Sequence, residues 1–257
     1  MVVITLRALA AAVACGAFLL ATGCAGASAH PAARQGTRVP TALPTSGTPS
    51  HRAEIKPGPK DAIQRPPRFS ASVSGPLSPR DLPYSWRPGC PLPPRELRAI
   101  HLAYVGFDGM AHRGEIIVNV RVVRQVIKVF AILYRARFPI RRIEPVDAFH
   151  GSDPRSMAAD NTSGFNCRRA VAPGPPQWSM HAYGLAIDVN TVQNPYVEAG
   201  TGVQPPAGAA YVNRSRIRPG MAYQGGVLVS AFNSIGWGWG GNWPGSPDYQ
   251  HFSVNGR

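Results

Sequence analysis

The feature that most restricts this chain is a carboxylate set inside an apolar run, Leu185-Ala186-Ile187-Asp188-Val189. The run reads as a core strand. A buried carboxylate is costly unless it is paired or bound to a metal. Whatever fold the chain adopts must therefore bring a partner to Asp188. His181 lies seven residues earlier. Fully extended, seven residues would hold the two side chains roughly 23–25 Å apart. Both reach one ion only if the chain bends between them, and Gly184 permits such a bend. A hydrogen-bonded core histidine and a capping aspartate would account for the same pair without a metal.

The C-terminal segment Asp248-Tyr249-Gln250-His251-Phe252 adds a second histidine and a further carboxylate. Two histidines and one aspartate make a three-ligand protein set. A catalytic zinc uses three protein ligands and keeps a fourth position for water or substrate. Asp248 is then the spare carboxylate. Beside the open position it could take a proton from the attacking water and pass it to a leaving amine.

Ser179-x-His181-x-x-Gly184-x-Ala186-x-Asp188, followed by Asp248-x-x-His251-Phe252, resembles the zinc peptidases of the D-alanyl-D-alanine carboxypeptidase family. That family includes VanY-type carboxypeptidases, VanX-type dipeptidases and L-alanyl-D-glutamate endopeptidases, and shares a metal core with the hedgehog signalling domain. The resemblance runs from about Ile100 onward. The string Ser156 to Arg168 and the segment Trp178 to Gly184 are similar to its carboxypeptidase-like branch. The resemblance implies one zinc ion held by His181, Asp188 and His251, with Asp248 as the catalytic carboxylate. It also implies that Arg168 grips the scissile carbonyl or a substrate carboxylate; Arg169 follows directly. The implied substrate is a stem peptide of bacterial peptidoglycan, cut by a carboxypeptidase or an endopeptidase. Hedgehog shows that the scaffold can also serve as a zinc-containing module without turnover, here one that would bind cell wall.

The rest of the sequence fits an exported protein. Residues 1–29 have a charged start, an apolar centre and a small-residue end, the layout of a secretory signal. Two exits are readable: a lipobox ending at Cys24, which would anchor the chain to the membrane by a lipid, and an ordinary cleavage after Ala29. Residues 30–81 read as a proline-rich, basic, disordered spacer. From His30 to Arg80 there are ten prolines and eight Lys/Arg against two acids. Such a segment cannot bury enough surface to offset its ordering entropy. It is either a plain linker or a contact to anionic wall polymers. The net charge of +14 calls for an anionic partner, and export speaks against nucleic acid. The exported part keeps Cys90 and Cys167, which form one disulfide or stay as two buried thiols.

Residues 82–257 form the expected zinc peptidase domain. Strands are expected over Ile100–Phe107, Glu115–Val118, Ile143–Phe149 and Leu185–Val189, with a last one at Phe252–Val254. Val120, Val123, Ile127, Phe130 and Leu133 recur at helical steps after a capping Asn119, and Pro139 stops that helix. A short helix is expected over Gly226–Ile235. From Gly151 the chain is otherwise loop-rich. Strands and helices do not alternate regularly, so the expected fold is α+β: a single small domain with a mainly antiparallel sheet flanked by helices. His112 and His150 fall outside both motifs and read as surface or supporting groups. Trp237, Trp239 and Trp243 read as core and cleft wall.

Overall fold

The structure is a computed structural model that describes residues 68–171, 176–200 and 202–257. The signal, Cys24 and residues 30–67 of the basic stretch lie outside the described residues.

A three-stranded antiparallel sheet is built from β1 (Ala71–Ser74), β2 (Leu97–Val105) and β3 (Ala111–Asn119), in that order. The alternation in β2 decides its two faces. Ile100, Leu102 and Tyr104 pack into the main core, while Leu97 and Ala99 join a smaller cluster with Leu82, Leu92, Phe165 and Cys167. The sheet is thus covered on both sides. The strand expected to start at Glu115 starts at Ala111 instead. Its first three residues are exposed, so they carry no apolar signal. More surprising is β1, which lies inside the stretch read as spacer. Its register pairs Ala71 with Leu102 and Ser74 with Ala99.

Asn119 accepts a hydrogen bond from the backbone N–H of Arg121 and caps a short 3-10 turn, Val120–Val122. That turn leads into α1 (Val123–Arg135). The buried stripe of α1 is Val126, Val129, Phe130 and Leu133. Val120 precedes the helix proper and stays exposed. The helix ends before Pro139, at a turn in which Arg137 takes a positive φ.

The strand expected over Ile143–Phe149 does not form. Ile143 makes a single bridge to Thr162, and Val146–Phe149 is a 3-10 turn. Pro145 lacks a backbone donor for a ladder. Asp147 instead accepts hydrogen bonds from the backbone of Tyr84 and Ser85.

A second antiparallel sheet has the order β4 (Ala186–Asp188), β8 (His251–Ser253) and β7 (Gly238–Trp239). The last strand therefore begins one residue before the expected Phe252. A hairpin of β5 (Tyr196–Glu198) and β6 (Gly202–Gln204) and two short helices, α2 (Asp153–Ala158) and α3 (Val227–Asn233), complete the elements. Ile187, Phe252 and the α3 residue Phe232 share the main core with α1. The rings of Phe232 and Phe252 stack with centroids 4.2 Å apart. Burying one such side chain stabilises by about 1.5–3 kcal/mol. Mixed helices and small antiparallel sheets make the fold α+β, as expected. Cys90 and Cys167 form a disulfide across 77 residues, with Cα atoms 5.9 Å apart.

Candidate metal centre

Three of the sequence-chosen residues meet in one buried cluster. His181, Asp188 and His251 each offer a ligand atom, and these atoms lie within 4.8 Å of one another. The bend between His181 and Asp188 is the expected one. His181 lies in a 3-10 turn, Met180–Tyr183, whose cap Ser179 accepts a hydrogen bond from the His181 backbone N–H. Gly184 ends the turn at φ +64°. A Cβ there would stand 2.6 Å from the Asn119 nitrogen. The close approach has a purpose: the Asn119 N–H donates to the Gly184 carbonyl, and its side-chain amide donates to the Tyr183 carbonyl. The end of β3 thus clamps the histidine turn. Beyond the turn β4 begins, and it sets Asp188 directly opposite His251 of β8.

Each imidazole is oriented by a backbone carbonyl. His181 Nδ1 lies 2.7 Å from the Gly164 carbonyl oxygen, and His251 Nε2 lies 3.3 Å from that of Arg257. A carbonyl only accepts, so these nitrogens carry the protons. The other nitrogens, His181 Nε2 and His251 Nδ1, turn their lone pairs toward Asp188. His181 Nε2 is 3.2 Å from Asp188 Oδ2, and His251 Nδ1 is 3.2 Å from Oδ1. Two lone pairs and a carboxylate facing one another repel unless a cation sits among them. The donor set therefore fits a metal ion, and nitrogen with oxygen ligands suits zinc. Carbonyl-anchored imidazoles are the usual support for such ligands. Without a metal, burial raises the Asp188 carboxyl, but protonated His181 and His251 would donate to it and hold it well below the usual carboxylate range.

Asp248 stands outside the triad. Its Oδ1 is buried and has no hydrogen-bond partner among the described residues. Burial, with the Asp188 charge next in weight, pushes its carboxyl up to about 7. A carboxylate near neutrality is suited to taking and giving a proton.

Arg168 is half-buried, and its Nε lies 3.0 Å from Asp153 Oδ2. Burial works against its charge, yet Asp153, Asp188 and Asp248 together raise its pKa further. It stays a cation within the field of the triad. Asp153 went unnoticed in the sequence, although Ser152-Asp153-Pro154 is a helix-start signature. It also accepts from the Asn166 side-chain amide. Gly164 went unnoticed too, because its contribution is a backbone carbonyl. Arg169 turns away and stacks over Trp178 at 3.8 Å.

The remaining sequence candidates fall where expected. His112 pairs with Asp108 on the exposed hairpin, and His150 packs on Tyr84. Trp237 and Trp239 are buried in the core, while the Trp243 ring lies 5.2 Å from that of His251 and forms a wall of the site.

Residues 173–254 match the family model described as D-alanyl-D-alanine carboxypeptidase. The matched stretch contains His181, Asp188, Asp248 and His251, and it bears out the family resemblance carried by the two motifs. No curated protein and no solved structure matches the chain.

Proposed function

We propose that this chain is a zinc-dependent peptidase that hydrolyses stem peptides of bacterial peptidoglycan at the outer face of the cell. The observation that carries the reading is the triad His181, Asp188 and His251 beside a buried Asp248 oxygen without a hydrogen-bond partner among the described residues. The family match supports a peptidase of peptidoglycan-derived substrates.

The three ligands would hold the ion, which supplies a Lewis acid for the scissile carbonyl and lowers the pKa of a water. Asp248 takes a proton from the attacking water and gives it to the leaving amine. Arg168, pinned on its Nε side by Asp153, holds the substrate carbonyl or a substrate carboxylate and balances the charge that develops on oxygen. Trp243, against the His251 ring, walls the site, and Tyr183 of the His181 turn is proposed to line it with Trp243. The leader and basic stretch support export, with Cys24 as the lipid attachment in one of its two processing routes. The basic stretch then spans the distance to anionic wall polymers.

The test is to incubate purified protein with muropeptides, with and without chelator, and to follow products by mass spectrometry. Chelator-sensitive cleavage of a stem-peptide bond is expected. Asp248→Asn should keep the metal and lose about 10²–10⁴-fold in kcat. A protein that binds zinc and wall but never cleaves would instead be a non-catalytic wall-binding module, and the peptidase reading would be wrong.

A further inference from the structure

A cavity of about 510 Å³ is lined by Phe107, Arg141, Arg142, Asp160, Gln193 and Tyr211, none of which belongs to the metal triad. Its polar groups are unevenly satisfied. Asp160 is fully engaged: one oxygen accepts from the Val192 backbone and the other from Gln193 Nε2 at 2.7 Å. That contact fixes the Gln193 amide, and its Oε1 is left buried with no hydrogen-bond partner among the described residues. Gln193 is only 6% exposed. Arg142 Nε is likewise buried without a hydrogen-bond partner among the described residues, while its Nη1 forms an ion pair with Glu144 at 3.7 Å. A buried acceptor without a donor destabilises the fold unless something fills the gap. A ligand with an N–H or O–H next to an anionic group would satisfy both gaps.

The charges narrow the ligand. Arg142 is paired with Glu144, and Asp160 lines the same cavity as both arginines; with Arg218 over the Tyr211 ring, three arginines exceed the two carboxylates by one positive charge, which suits a monoanion. A phosphate dianion would also meet Asp160. Arginine forks match a planar carboxylate. Phe107 and Tyr211 add aromatic walls, and Arg218 stacks on the Tyr211 ring at 3.6 Å.

We infer that this cavity is a second binding site that takes the carboxylate end of a peptide. The carboxylate lies between Arg141 and Arg142, the preceding amide N–H donates to Gln193 Oε1, and a small side chain rests on Phe107 and Tyr211. The site stands independently of the catalytic reading.

The experiment uses chelator-treated full chain, so that turnover does not interfere, and N-acetyl-Ala-Ala as the free acid. Calorimetry should give saturable binding at millimolar concentration, and the Gln193 side-chain amide resonance should shift. Arg141→Gln/Arg142→Gln should weaken binding about tenfold or more, since charge-assisted hydrogen bonds are lost. The exposed single change Arg141→Gln serves as a check against misfolding, alongside circular dichroism. The C-terminal amide of the same peptide should not bind. Three results would overturn the inference: no binding of the acid, binding unchanged in the arginine variants, or binding of glycerol phosphate in place of the peptide.

Discussion

Asp188 and His251 are directly paired residues of β4 and β8, and the carboxylate Oδ1 lies 3.2 Å from the imidazole Nδ1. Their neighbours Ile187 and Phe252 form the next pair in the register and point the other way, into the main core. Side chains alternate along a strand, so one register sets both the candidate metal ligands and the hydrophobic packing behind them. A slip of one residue would turn the ligands into the core.

Asp188→Asn keeps the shape of this pair and removes its charge. Metal affinity should fall by more than about 100-fold, beyond the cost of losing a supporting group. The far-ultraviolet circular dichroism should not change. Titration with zinc, read by calorimetry, checks both halves of the expectation.

Gly184→Ala strikes the bend. The left-handed conformation costs an L-residue about 1–2 kcal/mol, and the added methyl would press on the Asn119 nitrogen. The loss of stability should exceed that figure, and zinc affinity should drop with it because His181 rides on the same turn. Urea denaturation and a zinc titration on one preparation would reveal whether the two move together.

Removal of the disulfide by Cys90→Ser/Cys167→Ser should cost about 2–5 kcal/mol. Arg168 is the next residue after Cys167, and Arg87 donates to the Cys167 carbonyl. The loss should therefore appear in KM as well as in the melting temperature. Unchanged kinetics in the double variant would separate the bridge from the site.

The Asp248 carboxyl gives a pH signature in the metal-free chain. Its folded-state pKa is pushed up from 3.8 to about 7. Between those values the folded chain keeps a proton that the unfolded chain has released. The stabilising contribution of that proton is full at acid pH and is lost as pH rises toward 7. Asp248→Asn abolishes this slope. In chelator, the variant should gain on the parent as pH goes from 4.5 to 7.5, and denaturation curves at the two values measure it.

The site was largely legible because its chemistry is local in type: a carboxylate in an apolar run, a histidine before a glycine, and a second histidine near a spare acid. What the sequence hid acts through the backbone. The Gly164 and Arg257 carbonyls orient the imidazoles, and carbonyls leave no residue-type signal. Asp153 was hidden for another reason, since its partner Arg168 is fifteen residues away on a loop. In the fold, α1 was visible from its period, yet its buried stripe is centred on Val126 and Val129 because Val120 belongs to the entry turn. The expected strand at Ile143–Phe149 failed at Pro145. β1 was masked by the proline-rich composition around it, and all four of its residues are exposed, so no apolar pattern marks it.

That small strand has a practical consequence. Ser70 accepts from the Ala103 N–H, and Phe69 packs on Tyr134, so the chain is stitched to β2 from residue 69 onward. A shortened protein begun at residue 82, the domain boundary expected from the sequence, would uncover the β2 edge over Ala99–Ala103. A newly bared edge over Ala99–Ala103 is a template for pairing between molecules. Such a truncation would trade a solubility problem for a tidier boundary, whereas a start before residue 69 keeps the edge closed.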